Sequence, residues 1–529
     1  MLNSKQQAAV HATDSKLLCL AGAGTGKTTV MISRISDLVD NGVAPESILA
    51  LTFTNVAALE MKDRYEALHS NQQIPEFRTF HSFCYYILSN DKDVRYKLKY
   101  EQVPQIADEG AEKRIIKEAM MQVGIKLTEK QLKNNSPLTQ KEAYDLMIVL
   151  KAANRIMRKR NLITFNMLCK EVCDLFTMNA ECIHKYKERF KYVFSDEYQD
   201  TDKIQDAFVQ SFTDSKLFVV GDALQALYAF RGADSSIIKK LASDETWTTY
   251  QLTHNYRSTK QICKYANKFS KSYASDEYRV AIESDTDGPD VEFVNYEQMY
   301  GGVPHYVIKD IIHRCKEYPG SNAILTRTNA DVDSIKTQLQ ELNISYISTM
   351  QHDISINILK SVLDNQYSLD WLSTYLTAEE YSDYIRRSVI RGSKYTLDTF
   401  ISEFDYKDSI LKAVTKIYDI RKICKSPKQD LTRSILRVLN HEEVEVPPFK
   451  PQATLAEKLK QIEDAIVAYK QSGSIYVGTV HSVKGLEYDN VYIVGVSGSS
   501  WKLNTEENHN VFYVAITRAK THLTIFFAQ

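Results

Sequence analysis

Short apolar runs, each followed by a polar loop and a helically spaced stretch, recur in the first half of the chain at residues 17–20, 48–53, 192–195 and 217–220. Runs this short and this uniformly apolar predict strands buried on both faces, and their alternation with helices predicts a parallel sheet covered by helical layers. A second set at residues 323–325, 475–480, 491–496 and 523–527 predicts a second α/β lobe. Elsewhere the texture changes to long Lys- and Glu-rich segments with helical apolar spacing, as at 111–123, 142–151, 371–387 and 455–469; Pro447, Pro448 and Pro451 break the chain between the last two. The expected division is a first lobe at 1–90 and 190–250 with a helical insertion at 91–189, and a second lobe at 251–349 and 472–529 with a reduced, divergent helical insertion at 350–471.

Composition narrows the class. A chain of 529 residues is too long for one core. Its 43% apolar and 25% charged residues, with no apolar run near the roughly 20 residues that span a bilayer, predict a soluble protein without membrane segments. Asn3, Ser4, Lys5 and Gln6 stand where a secretory signal would carry its basic and apolar regions, so a cytoplasmic location is expected. The eight cysteines are scattered and are expected to stay reduced. Cys169, Cys173, Cys182 and His184 fit no standard zinc spacing and are expected to be helix-face residues without a metal. A net charge of −1 excludes a passive basic coat for nucleic acid, so any nucleic-acid path must be local.

Two motifs carry chemistry. Ala21-Gly22-Ala23-Gly24-Thr25-Gly26-Lys27-Thr28 follows a predicted strand and opens a helix with Met31, Ile35 and Leu38 on one face, ending at Asn41-Gly42. Glycines let backbone N–H groups wrap phosphates at a helix N-terminus, Lys27 reaches the terminal phosphates, and the Thr28 hydroxyl can bind Mg²⁺. Ser195-Asp196-Glu197-Tyr198-Gln199-Asp200 ends another predicted strand, where Asp196 can hold Mg²⁺ through water and Glu197 can orient and deprotonate an attacking water. Together they predict a Mg²⁺–nucleoside triphosphate hydrolysis site.

From here the motifs resemble, in order, those of the UvrD/Rep-like superfamily 1 helicases, over both lobes, about half the chain. The resemblance implies two RecA-like P-loop NTPase lobes and ATP as the nucleotide. It gives Gln6 in Leu2-Asn3-Ser4-Lys5-Gln6 the role of reading adenine, with Tyr256 over the base and Arg257 on the γ-phosphate in Asn255-Tyr256-Arg257-Ser258-Thr259. Many family members carry Arg directly after the phosphate-loop Thr, where this chain has Thr29. Gln225, after Gly221-Asp222, would sense the γ-phosphate; Gly485 and Glu487 would face the nucleotide, and Arg518 in Tyr513-Val514-Ala515-Ile516-Thr517-Arg518 would act as the arginine finger. The implied DNA contacts are Phe53 and Asn55, Thr79 and His81, Tyr228 and Phe230, Arg327, and His481 with Ser482. Phe230 stands where the family usually has Trp, and Phe53 can equally be a core residue at a strand end.

The implied activity is that of an ATP-dependent helicase or translocase on single-stranded DNA and single-strand/duplex junctions, moving 3′ to 5′. The phosphate loop and carboxylates are expected in one lobe, with Arg257 and Arg518 in the other. A reading from another class stays open: an ATP- and DNA-sensing subunit of a nuclease-associated defence or repair complex, with little unwinding of its own. The chain stops two residues past its last predicted strand, at Ala528 and Gln529, so no C-terminal interaction tail is expected.

Overall fold

The computed structural model describes residues 2–69, 73–107, 109–132, 139–229, 232–297, 302–347, 420, 422–424, 431–439, 446–448, 454–473, 475–498 and 501–529. It forms two compact units, Met1–Gly288 with Asn504–Thr517, and Pro289–Leu503 with Arg518–Gln529. The first unit thus continues past residue 251, where the sequence pattern placed the start of the second lobe. The helix Glu506–Ile516 also belongs to it.

In chain order the first unit contributes β1 (Lys16–Ala21), β2 (Ile48–Thr52), β3 (Glu76–Thr79), β4 (Gln105–Ala107), β5 (Leu162–Thr164), β6 (Tyr192–Ser195), β7 (Lys216–Gly221) and β8 (Thr248–Leu252). β4 and β5 pair only with each other. The other six form one sheet in the order β3-β2-β6-β7-β1-β8, with every neighbouring pair parallel. Successive strand side chains face opposite sides. Leu18, Leu20, Leu49, Leu51, Val193, Leu217 and Val219 therefore join one core, which the helices Phe80–Asn90 and Phe165–Met178 complete. Leu17, Cys19, Ala21, Ile48, Ala50, Phe194, Phe218 and Val220 pack on the other face against Val30, Met31 and Ile35 of the helix Lys27–Asp40. At about 1.5–3 kcal/mol for each large side chain fully buried, burial on both faces explains why the central strands read as unbroken apolar runs.

Within the first insertion, the helices Glu109–Val123 and Gln140–Lys159 share a small core of Ile115, Ala119, Val149, Ala153 and Ile156. A capping box between Thr139 and Glu142 starts the second of these helices. The helices Phe165–Met178 and Ala180–Arg189 instead bury Leu168, Val172, Phe176 and Ile183 in the core of the first sheet.

The second unit adds β9 (Glu292–Tyr296), β10 (Asn322–Thr326), β11 (Tyr346–Ile347), β12 (Ile475–Thr479), β13 (Tyr488–Val496) and β14 (Ala519–Ala528), again all parallel, in the order β11-β12-β10-β13-β14-β9. Of the second insertion, Ile420, Ile435, Leu436, Leu439, Leu459 and Ile462 form a separate helical cluster. The helix expected at 371–387 lies outside the described residues. Among the described residues no helix is long and apolar enough to cross a membrane.

In a parallel sheet every strand ends at the same edge. The turns after β1, β2, β3, β6, β7 and β8 therefore leave the first sheet side by side, and these are the turns that carry the candidate motifs.

Candidate nucleotide site and aromatic cleft

The phosphate loop leaves β1 and enters the helix Lys27–Asp40 through Gly26, whose φ of +82° a side chain would resist. Gly24, at φ +70°, faces a second constraint: a Cβ there would lie 2.8 Å from Asn255 Nδ2 and 2.9 Å from Arg257 Cβ. Asn255 explains that crowding. Its Nδ2 donates to Ala23 O (2.7 Å), while its Oδ1 accepts from the backbone N–H of Arg257 and of Ser258 (2.7 Å each). Tyr256 N donates to Gly24 O (2.9 Å). A buried Asn on the turn after β8 thus fixes the loop and sets Tyr256 and Arg257 beside it. Arg257 further donates from Nη1 to Thr517 O at 3.1 Å. Arg257 thus lies in the same compact unit as the phosphate loop, and Val280 and Ile282 come back over Gly22.

The N-terminal helix Ser4–Val10 meets the same corner. Gln6 is 3% exposed; its Nε2 donates to Thr25 O (3.1 Å), and its Oε1 accepts from Asn3 N (3.0 Å) and from the Tyr256 hydroxyl (3.3 Å). Asn3 Nδ2 also donates to that hydroxyl at 2.9 Å. The exposed Tyr256 ring and the second N–H of the Gln6 amide are what this corner offers a flat, polar-edged base. Thr29 is exposed on the first turn of the next helix.

Across the loop, Thr28 Oγ1 lies 3.5 Å from Asp196 Oδ2. Asp196 is buried, and burial first, then the charge of Glu197, raises its carboxyl from the usual range to about 7, against the opposing pull of Lys27 and Thr28. A hydroxyl and a buried carboxylate in need of a cation are hard oxygen donors that fit Mg²⁺. Glu197 holds a left-handed backbone at φ +50°, an uncommon conformation for a side-chain residue and one that clusters at functional sites.

From Glu197 a buried polar chain runs along the sheet edge. Gln199 Nε2 donates to Glu197 Oε2, Gln199 Oε1 accepts from Asp222 N (3.0 Å), and Gln225 Nε2 donates to Asp222 Oδ2 (2.7 Å). Gly221 makes this possible, because a Cβ there would sit 2.6 Å from Gln199 Oε1. Burial also raises the Asp222 carboxyl, which Lys27 and Gln225 partly offset.

Three residues beyond Gln225, Tyr228 opens onto a cleft of ≈ 750 Å³. Phe53, Asn55, Thr79, His81 and Tyr228 all line it, so the sheet edge gathers the candidate DNA residues of the first unit from the turns after β2, β3 and β7. The Phe53 and Tyr228 rings are nearly parallel, with centroids 6.4 Å apart and an 8° interplanar angle. His81 stacks at 3.9 Å and 8° on Phe165, a 53% exposed ring that sequence reasoning missed; its one local signal is an aromatic directly after the N-cap Thr164. Burial lowers the His81 pKa, so at neutral pH it is a stacking ring and hydrogen-bonding group with little cationic character. Thr79 is spent locally as the cap of the helix Phe80–Asn90, its Oγ1 accepting from Ser82 N. Asn166 and Lys170 are further lining residues, with Asp200 and Asp202 at the same cleft. Phe230 lies outside the described residues.

In the second unit, Thr326 and Thr479 are register partners on β10 and β12, so Arg327 and His481 leave adjacent strand ends. Ser482 Oγ donates to Thr479 O (2.7 Å) and meets the Tyr476 hydroxyl at 2.9 Å. Gly485 turns at φ +89°, and Glu487 pairs with Lys520 at 3.2 Å. Arg518 is 2% exposed and donates from Nη1 to Leu486 O at 3.1 Å.

The family model for the UvrD/REP helicase N-terminal domain matches residues 2–246, and that for the UvrD-like helicase C-terminal domain matches residues 250–354 and 376–529. The first match runs through the insertion that the motifs left uncovered. Among curated relatives, the ATP-dependent DNA helicase PcrA of Staphylococcus epidermidis RP62A is 30% identical, over 99% of this chain and 83% of that protein. The protein of the same name from Staphylococcus aureus Mu50 is 29% identical over the same shares.

Proposed function

The chain belongs to the UvrD/Rep family of ATP-dependent DNA helicases, and from that premise we propose that it tracks along single-stranded DNA, 3′ to 5′, on the energy of Mg²⁺–ATP hydrolysis. The observation that carries this reading is the buried hydrogen-bonded row Glu197–Gln199–Asp222–Gln225, which joins the hydrolytic carboxylate to the segment bearing Tyr228 of the aromatic cleft. A change at the terminal phosphate that moves Gln225 is felt three residues later at the cleft wall.

Lys27 and the loop N–H groups take the phosphates, and Tyr256 and Gln6 take the adenine. Thr28 and Asp196 would hold the magnesium ion, whose charge neutralises the phosphate oxygens. Glu197 orients and deprotonates the attacking water. Arg257 and Arg518 are the residues expected to stabilise charge on the transferring phosphoryl group. Phe53 and Tyr228, with Phe165 and His81, offer flat faces to bases of any sequence. Arg327, His481 and Ser482 are the backbone contacts expected of the second unit.

ATP hydrolysis by the purified chain, measured alone and with single-stranded DNA, duplex DNA or single-stranded RNA, tests this reading. Strong stimulation by single-stranded DNA alone is the expected result. No stimulation by any nucleic acid would overturn the motor and favour a subunit that acts only with a partner.

A further inference from the structure

Behind the cleft wall, three cysteines from two helices converge. Cys84 Sγ is 3.8 Å from Cys169 Sγ, Cys169 Sγ is 3.8 Å from Cys173 Sγ, and the three sulfurs lie within 4.8 Å of one another. Cys169 and Cys173 are one turn apart on the helix Phe165–Met178, and Cys84 faces them from the helix Phe80–Asn90. Cys84 and Cys173 are 0% exposed and Cys169 is 6% exposed. Cys169 also lines the cleft, so the cluster has a route to solvent. Neither Cys182 nor His184 takes part: His184 is on the surface, paired with Glu188 at 3.3 Å.

We propose that Cys84, Cys169 and Cys173 form a three-thiolate site for a borderline-soft divalent cation of the Zn²⁺ class, with its fourth position turned toward the cleft. The spacing is the main argument. With Zn–S bonds of about 2.3 Å, two sulfurs of a tetrahedral site stand about 3.8 Å apart, which is the separation of two of the three pairs. Thiolates select such ions over hard magnesium. Each thiol gives its proton to solvent as its sulfur–metal bond forms, so no oxidant or reductant is needed. The cation would tie together two helices just beyond their first turns, which carry His81 and Phe165, the stacked pair at the cleft mouth.

The competing account is three small apolar side chains filling a core, and the full chain distinguishes them. After chelation and titration with Co²⁺ as a spectroscopic stand-in, the site predicts a thiolate-to-cobalt charge-transfer band that saturates at one ion per chain and is displaced by Zn²⁺. Cys84→Ser and Cys173→Ala should each lose that band. Wild-type melting should rise with Zn²⁺ and return with chelator, while the Cys173→Ala chain should melt at one temperature in both. Absence of the band in wild type overturns the proposal, as does a band or a Zn²⁺-dependent melting shift that survives in either variant.

Discussion

Replacing Asp196 by Asn separates the cost of the nucleotide site from its chemistry. Asp196 is 4% exposed, and burial, with Glu197 next to it, raises its carboxyl to about 7. A carboxyl whose folded value lies above its unfolded value of about 3.9 keeps a proton that the unfolded chain has already released. Stability therefore falls as pH rises between those two values, and the loss is complete above the folded one. At about 1.4 kcal/mol per pH unit the interval is worth at most about 4 kcal/mol, and sharing with Glu197 lowers that ceiling. Asn keeps an oxygen to accept from Glu197 N, as Asp196 Oδ1 does at 2.9 Å, and carries no charge. Without nucleotide and magnesium, Asp196→Asn should melt several degrees above wild type near pH 8, at roughly 2 °C per kcal/mol, with a flatter profile down to about pH 5. Its ATP turnover should be lost, and magnesium nucleotide should stabilise it far less than wild type. Thermal melting across that pH range, with and without Mg²⁺–nucleotide, is the assay. A variant that melts at or below wild type near neutral pH, with an unchanged pH profile, would refute the reasoning.

Lys27→Ala and Arg518→Ala should each abolish turnover, the latter by roughly 10³–10⁵-fold if it is the arginine finger; near-normal hydrolysis with an intact circular dichroism spectrum removes the residue from the site. Phe53→Ala should weaken single-strand binding by about 1–3 kcal/mol and leave basal hydrolysis alone, and unchanged fluorescence anisotropy titrations would return Phe53 to a packing role. Gly24→Ala must strain a φ of +70° and push on Asn255 and Arg257, so it should cost about 1–3 kcal/mol of stability and most of the nucleotide affinity; an unchanged melt would show that the loop relaxes freely.

What the sequence makes legible follows from what burial imprints on it. The central strands β1, β2, β6 and β7 are covered on both faces and appear as apolar runs. The outer strands β3 and β8, with the sequences EFRT and TTYQL, are half open and look like loops. The phosphate loop is legible because its glycines answer a local need, as Gly24 and Gly26 show with positive φ. Contacts made across the chain leave no such mark. Nothing near Asn255 announces that it will hold Ala23, 232 residues earlier, and the company of Arg257 is decided there. Phe165 likewise reads as one more helix residue until His81 is brought against it. The cysteines make the same point: spacing along one segment groups Cys169, Cys173, Cys182 and His184, whereas helix packing replaces the last two with Cys84, 85 residues away.

Asp196, Gln199, Asp222, Gln225 and Asn255 are each no more than 4% exposed, and all five sit at one sheet edge. Burying polar groups costs stability unless each finds a partner, and here several partners are one another, through a row that includes Asp222 and adjoins Asp196, both carboxyls raised by burial. Such a row makes little sense as a device for holding the fold together, since apolar side chains at the same edge would serve better. It makes sense as a structure completed by its ligand: a cation at Asp196 and phosphate oxygens near Lys27 and Gln225 would supply the charges that the row lacks. Communication from the nucleotide to the cleft should then depend on the intact row. Gln199→Ala, which breaks it in the middle without touching Lys27 or Asp196, should retain nucleotide binding while losing most of the stimulation of hydrolysis by single-stranded DNA. Parallel measurements of nucleotide-induced melting and of stimulated hydrolysis decide the matter: equal stimulation in the variant would mean that phosphate and cleft communicate by another route.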